Sequence, residues 1–389
     1  MEKKFNITQV KFWIFAFLLF FLWIPLLQQK FRFFEEKPLF GAIVKEIKPT
    51  LSLKGILDDT YQQAFEKYYN QNFGFRNDLV RMNNQIHFSF FNSLKAKGAV
   101  LGKNGYLYEE AYIKAYLGLD FVGKDSIKHE LFKLKKIQDT LQKLDKQILI
   151  VFAPGKGSFF PEYIPDNYPK NPIGRSNLNE YLDQCQAKGI NYLNFNGWFC
   201  AMKATSKYPL YSKGGIHWSE YGTYLAMDSL VKYIGSSSHS PMPVLALEGI
   251  VTNQKISNDD NDIGNGLNLL YDNPNYAMAY PKLNVTSSPK LKYPKVLFVA
   301  DSYYWGMFGR GYGTTLFGGG KFFYYNQEIY PDSHVKSLMV KDINLVQEVE
   351  KHDVVILMST DANLAKFPYG FVDQLYEMYY KKKSFFTNL

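Results

Sequence analysis

A serine and a histidine carry the first chemical signal in this sequence. Ser302 follows the apolar run KVLFVA and Asp301. In open α/β sheets ligands bind outside the carboxyl ends of the strands. A serine at such an end meets the unpaired backbone N–H groups of the next turn, which suits a nucleophile beside an oxyanion hole. The plainer alternative for Ser302 is a turn or capping residue. A serine nucleophile needs a base, and histidine is the usual one. Of the six histidines, His129 and His352 flank regular elements and read as solvated. His87 lies on an amphipathic segment and reads as packed, His239 falls in a Ser/Pro loop, and His334 follows the strand KFFYYN. His217 stands in KGGIHWSEYG, beside Trp218 and just before a capped helix, with Gly214 and Gly215 freeing the backbone. That is a good place for a ring that faces a cleft. His217 and Ser302 are therefore the expected pair, although spacing alone does not bring them together.

The elements that must position this pair read as an alternation of helices and buried strands. ILIVFAP at 148–154, KVLFVA at 295–300 and HDVVILMS at 352–359 are continuous apolar runs, as in the central strands of parallel sheets. Helical periodicity precedes the first, from Ser126 onward, and recurs at 177–187, 219–234, 342–350 and 371–380. Ser219 is placed as an N-cap. Residues 190–195 and KFFYYN read as further strands, 235–243 as a hinge or surface loop, and SNDDNDIGNGLNLL at 257–270 as an acidic, Asn-rich loop. The expected fold class is α/β: a three-layer α/β/α domain with a mainly parallel sheet. Its expected extent is 99–389, after an amphipathic helical lead-in and linker at 33–98 and an N-terminal anchor at 1–32.

That anchor rests on FWIFAFLLFFLWIPLL at 12–27, which follows Lys3, Lys4 and Lys11. As a helix it spans about 24 Å, slightly short of a hydrocarbon core of about 30 Å, and Val10 and the aromatic flanks extend it. No A-x-A cleavage pattern follows, so the run reads as an uncleaved signal anchor crossing at 11–27. Basic residues stand on its cytoplasmic side and the rest of the chain is exported. An exported chain permits a disulfide, and Cys185 and Cys200 either pair or serve as small buried hydrophobes.

The 389 residues are 46% hydrophobic, which excludes a disordered tail or a small disulfide scaffold. The net charge of +9 permits an anionic partner. Lys and Arg are dispersed and no zinc-finger spacing is present, so nucleic acid is not expected. No metal-ligand spacing appears, and no cofactor is called for. Aromatics make up 17% of the chain, which suits sugar stacking.

From about Phe65 onward the chain resembles the alginate O-acetyltransferase type of SGNH-hydrolase-like proteins, membrane-anchored enzymes of the bacterial periplasm. The resemblance runs through FEKYYNQNFGFRNDLVRMNNQ, GKNGYLYEE, VFAPGKGSFFPEYIP, GIHWSEYG and VLFVADSYYW, in that order. In such proteins a D-x-H-W motif supplies acid and base and a later G-D-S-like motif supplies the serine, an order that His217 and Ser302 share. Two positions depart from it: the glycine of G-D-S is Ala300, and the acid of D-x-H-W is Gly215. The acid must then come from elsewhere, and Asp361, in STDAN after an apolar strand, is the expected candidate. A Ser–His dyad oriented by a backbone carbonyl is the alternative.

The backbone N–H of Ser302 and the Asn326 side chain are the expected oxyanion donors, with Tyr324 or Tyr325 assisting. Lys156 in APGKGSFFP is expected to bind a sugar carboxylate or the acetyl donor, or else to decorate a loop. Arg76 reads as structural. The resemblance implies a polysaccharide O-acetyltransferase in the inner membrane with its catalytic domain in the periplasm. It also implies a polytopic membrane O-acyltransferase partner that supplies acetyl groups. The alternatives are a carbohydrate acetyl esterase, in which water replaces the sugar, and a non-catalytic glycan-binding scaffold, which the glycine at 215 favours.

Overall fold

A computed structural model describes residues 7–41, 46–238, 242–286, 288, 291 and 293–381. His239, Lys3 and Lys4 lie outside the described residues. The chain divides into two compact units. One runs up to Lys97 and includes Gly264–Asn273; the other comprises Gly98–Ile263 and Pro274–Leu389.

The first unit is helical. Helix Ile7–Phe31 is longer than the apolar run and contains Pro25. The mean hydropathy of its most apolar window is 2.3 and none of that window is buried, so by length and composition it can cross a membrane. The segment NFGFRND packs by close approach and polar capping. A Cβ at Gly74 would lie 2.4 Å from the Pro25 carbonyl oxygen, so only glycine fits there. Glu36 accepts from the N–H groups of Phe75 (2.6 Å) and Asn77 (3.2 Å) at the start of helix Arg76–Phe91, where a carboxylate meets unpaired donors. Arg81 is buried and donates to the carbonyls of Lys37 and Pro38. Arg76 donates to the Asn70 carbonyl, a structural contact.

The second unit contains the strands β1 (Ala99–Leu101), β2 (Leu107–Glu109), β3 (Gln147–Ala153), β4 (Tyr192–Asn194), β5 (Val244–Asn253), β6 (Met278–Thr286), β7 (Val296–Ala300), β8 (Gly320–Tyr324), β9 (Glu328–Tyr330) and β10 (Val354–Thr360). The central sheet has the order β4-β3-β10-β7-β8-β9, parallel throughout except for the antiparallel β8–β9 edge. Pairs β1–β2 and β5–β6 are separate antiparallel ribbons.

Residues alternate across the sheet between two apolar cores. Leu149 and Val151 enter one, Ile148, Ile150 and Phe152 the other, and all five are buried. Helices therefore cover both faces, as parallel strands require. Helix Lys124–Gln142 seals one face with Ile127, Leu131, Leu134, Ile137 and Leu141. On the other face, Ala226, Met227, Leu230 and Ile234 of helix Glu220–Ser238 close the second core. This is the three-layer, mainly parallel α/β architecture that the apolar runs imply. Ser219 caps its helix, accepting from Gly222 N–H at 3.0 Å. His352, expected in solvent, is instead buried with its Nδ1 against the Glu348 carbonyl at 2.8 Å. Cys185 and Cys200 are free thiols; Cys185 fills core space and Cys200 donates to the Ser158 carbonyl.

Candidate active site

Strand β7 ends at Ala300, and the chain turns at once through the 3₁₀ turn Ser302–Tyr304. Asp301 makes that turn. Its Oδ1 accepts from Tyr303 N–H, while Oδ2 accepts from the N–H and hydroxyl of Thr360 and from Asn363 Nδ2. The carboxylate is thus consumed in tying β7 to the end of β10, and Ser302 stands half-buried at the strand mouth. As the first residue of the turn, Ser302 has a backbone N–H with no partner inside it.

His217 comes from the loop closed by the bridge between Tyr211 and Trp218. Its Nε2 lies 3.0 Å from Ser302 Oγ, and its Nδ1 lies 2.5 Å from Asp262 Oδ2. Asp262 Oδ1 accepts from the N–H groups of Ile216 (2.8 Å) and Ile263 (2.7 Å). One carboxylate therefore aligns the ring and the backbone that carries it. Burial pushes the His217 imidazole down, but the hydrogen bond and charge of Asp262, with Asp301 and Glu109 nearby, outweigh this and hold it above its usual value.

The carboxylate that meets the His217 ring is that of Asp262 and not that of Asp361. Asp361 is buried at the end of β10, where its Oδ2 accepts from Ser158 Oγ and Asn196 Nδ2. A Cβ at Gly155 would lie 1.8 Å from its Oδ1, so that oxygen is pressed against backbone and not turned to the ring. Gly215 has no room for the family's acid either. A Cβ there would sit 2.9 Å from both the Asp260 carbonyl oxygen and Ser212 Oγ. The segment 260–262 occupies that space and delivers its own carboxylate. Sequence reasoning passed over Asp262 as one of several acids in a loop. The available signal was the Gly214-Gly215 pair: a Cβ at Gly214 would lie 1.8 Å from Asn261 Oδ1, so the glycines mark where another segment presses in.

Two more expectations need correction. Asn326 is buried away from Ser302, and its Nδ2 donates to the Tyr369 carbonyl (3.1 Å) and Gln374 Oε1 (3.3 Å). The β8–β9 turn explains this. Tyr325 and Asn326 both have positive φ, 49° and 55°, which sends their side chains to different places than a continued strand would. Tyr325 instead lines the same cavity as Ser302. Burial pushes its phenol up, so it remains a donor at neutral pH. Lys156 is fully buried and cannot reach a ligand. Its Nζ donates to the carbonyls of Lys213 (2.7 Å) and Gly215 (2.5 Å), holding the loop that presents His217. Burial pushes its ammonium down to about 7, partly opposed by the charge of Asp262.

Nearby, Tyr303 donates to the Ile216 carbonyl, and Tyr211 to the Pro154 carbonyl. Asp262, Lys156 and Tyr303 thus hold His217 and its loop, and the His217 side chain keeps 26% exposure. A hydroxyl hydrogen-bonded to an imidazole that a carboxylate orients can be deprotonated as it attacks an electrophilic carbonyl.

Residues 99–255 match the family described as "ALGX: SGNH hydrolase-like domain, acetyltransferase AlgX". Over those residues the chain is similar to an SGNH hydrolase-like acetyltransferase domain of the AlgX type. The matched segment contains Lys156 and His217 and stops short of Asp262 and Ser302. Among solved structures, the O-acetyltransferase domain of Pseudomonas putida AlgJ is similar at 16% identity. That match covers 72% of this chain and 99% of that one, with a TM-score of 0.48. Bacillus cereus PatB1 is similar at 10% identity, covering 64% and 93%, with a TM-score of 0.39. Pseudomonas aeruginosa AlgX is similar at 14% identity, covering 69% and 56%, with a TM-score of 0.39. No curated protein matches the sequence at a significant level.

Proposed function

We propose that this chain is a membrane-anchored polysaccharide O-acetyltransferase that works through an acetyl-Ser302 intermediate. The observation that carries the reading is the unbroken relay from Asp262 through His217 to Ser302, at 2.5 Å and 3.0 Å. Ser302 Oγ attacks the carbonyl carbon of an acetyl donor as its proton passes to His217 Nε2. The Ser302 N–H and the Tyr325 hydroxyl stabilise the resulting oxyanion. The donor's C–O bond then breaks, and Nε2 returns the proton to the leaving oxygen. A sugar hydroxyl repeats the sequence in reverse, giving its proton to Nε2 and taking the acetyl group, which frees Ser302. Asp262 holds the ring with Nδ1–H toward itself and stabilises the imidazolium formed in each half-reaction.

Helix Ile7–Phe31 is the single-pass anchor in this reading, with the rest of the chain on the periplasmic face of the inner membrane. Acetyl-CoA is a cytoplasmic donor, so a polytopic membrane acyltransferase is the partner that passes acetyl groups outward. The scaffold alternative rested on the glycine at position 215; Asp262 supplies the missing acid and removes that support.

The test is incubation of the full chain in detergent with an aryl acetate and sugar oligomers. Acetylated oligomer, lost in Ser302→Ala and in His217→Ala, is the expected product. Release of free acetate alone would make the protein an esterase, and absence of any turnover would overturn the catalytic reading.

A further inference from the structure

Two cavities meet at the Ser302–His217 pair, one of about 240 Å³ and one of about 220 Å³. Carboxylates dominate the charge on their walls. Glu220, Asp259 and Asp262 line the first, and Glu109 and Asp262 line the second. Against these four carboxylates stands one guanidinium, Arg310, in the first cavity. Arg310 is already engaged: it pairs with Glu220 at 2.8 Å and donates to the Gly306 carbonyl. No lysine lines either cavity. Lys156, close behind the His217 loop, is sealed at 0% exposure, with its ammonium spent on two carbonyls. Glu109 and Asp259 form no ion pair among the described residues. The Glu109 carboxyl is pushed up by burial and then by the charge of Asp262. Like charges already crowd this cleft, although the chain as a whole is at +9.

This distribution bears on the acceptor. A uronate ring entering either cavity adds a carboxylate to a field of carboxylates and finds no free fork to pair with. A neutral ring finds the reverse: carboxylates that accept charge-assisted hydrogen bonds from its hydroxyls, and the half-buried Trp305 as an aromatic wall. An ammonium substituent gains further. Given the acetyl-serine reading above, on which this rests, we propose that the acceptor is a glycan whose acetylated residue is uncharged or amino-substituted, and that uronic acid polymers are disfavoured. Glu109 and Asp259 are the residues that set this preference, since neither is committed to the relay or to an ion pair.

The test uses the full chain in detergent, loaded with acetyl from an aryl acetate and then chased with three soluble acceptors: cello-oligosaccharides, chitosan oligosaccharides and mannuronate oligosaccharides. At low ionic strength, transfer to mannuronate is expected to be at least about tenfold slower than to the other two, with the gap narrowing as salt screens the cleft. The double variant Glu109→Gln, Asp259→Asn is expected to raise the mannuronate-to-neutral ratio by roughly three- to tenfold for each carboxylate removed, the size of a screened interaction across several ångströms. A merely structural role for the two acids would move all three acceptors together. Mannuronate transfer equal to or faster than neutral transfer at low salt would overturn the proposal. Failure of Ser302 to take acetyl would instead overturn the acyl-enzyme reading. In that case, binding of the same three oligosaccharides to the unloaded chain decides the charge preference: weaker mannuronate binding supports it, and equal or tighter binding overturns it.

Discussion

Asp262 and Asp361 both lie within reach of the strand ends that carry Ser302, and their surroundings differ in the number of donors each meets. Asp262 receives two backbone N–H groups on one oxygen and the imidazole on the other, and a quarter of its side chain remains exposed. Asp361 is sealed, receives Ser158 and Asn196 on one oxygen, and leaves its Oδ1 without a hydrogen-bond partner. Burial accordingly pushes the Asp361 carboxyl up to about 6. An acid that must stay ionised beside a protonating imidazole needs donors on both oxygens. The contrast teaches that a place at the end of a strand does not make a carboxylate the catalytic acid; the donors arranged around it do.

The sharpest way to break this contrast is to neutralise each acid in turn. Asp262→Asn is expected to lower kcat by about 10²–10⁴-fold, because the amide holds the wrong tautomer, whereas Asp361→Asn is expected to cost less than about threefold. Steady-state acetyl transfer measures both, and equal losses would dissolve the distinction. Adding an acid at the family's usual position, Gly215→Asp in the Asp262→Asn background, is expected to restore nothing, because Asp260 and Ser212 already fill that space.

The pH profile sharpens the same point. The held-up imidazole must lose its proton to act as base, so kcat/KM is expected to rise with pH through a midpoint above the ordinary histidine value. In Asp262→Asn that midpoint is expected to move down. An unchanged midpoint would mean that Asp262 does not set the state of His217.

Lys156→Met comes next in size. It removes the donors from two loop carbonyls, each costing about 1–3 kcal/mol if left buried and unpaired. The expected outcome is a fall in kcat of about tenfold with little change in KM, since Lys156 holds the loop that carries His217 and lines neither cavity at Ser302. Lys156→Arg is expected to recover part of the loss if the clamp is what matters.

The smallest effect is on stability. The folded state holds the Asp361 proton more tightly than the unfolded chain does, at about 6 against 3.8. Stability contributed by this group is therefore gained as pH falls from about 7 toward 4 and lost as pH rises. Full burial sets an upper bound of roughly 3 kcal/mol. Denaturant unfolding of the unmutated chain and of Asp361→Asn should show a stability difference that grows in the variant's favour as pH rises through this window. A constant difference would contradict it.

The same physics explains what the sequence made legible. The runs at 148–154, 295–300 and 352–359 announced buried parallel strands because both of their faces meet apolar cores, leaving no alternation. Ser302 and His217 were legible because one follows such a run and the other sits in a glycine-rich loop. Asp262 was not, because its role depends on a loop folding back onto Gly214 and Gly215, a contact that no periodicity encodes. Asn326 was misplaced because two successive positive-φ residues turn the chain where a strand pattern continues. Lys156 was misread because a lysine is rarely fully buried without a carboxylate, and here backbone carbonyls take that place.

The central claim is that Ser302 becomes acetylated with His217 as its base. The most direct measurement is intact-mass and peptide mass spectrometry of the full chain after brief exposure to an aryl acetate. The account predicts a single acetyl group on the peptide containing Ser302, absent in Ser302→Ala, formed far more slowly in His217→Ala, and removed when sugar oligomers are added. No adduct at Ser302, or an adduct that forms equally well without His217, would contradict it.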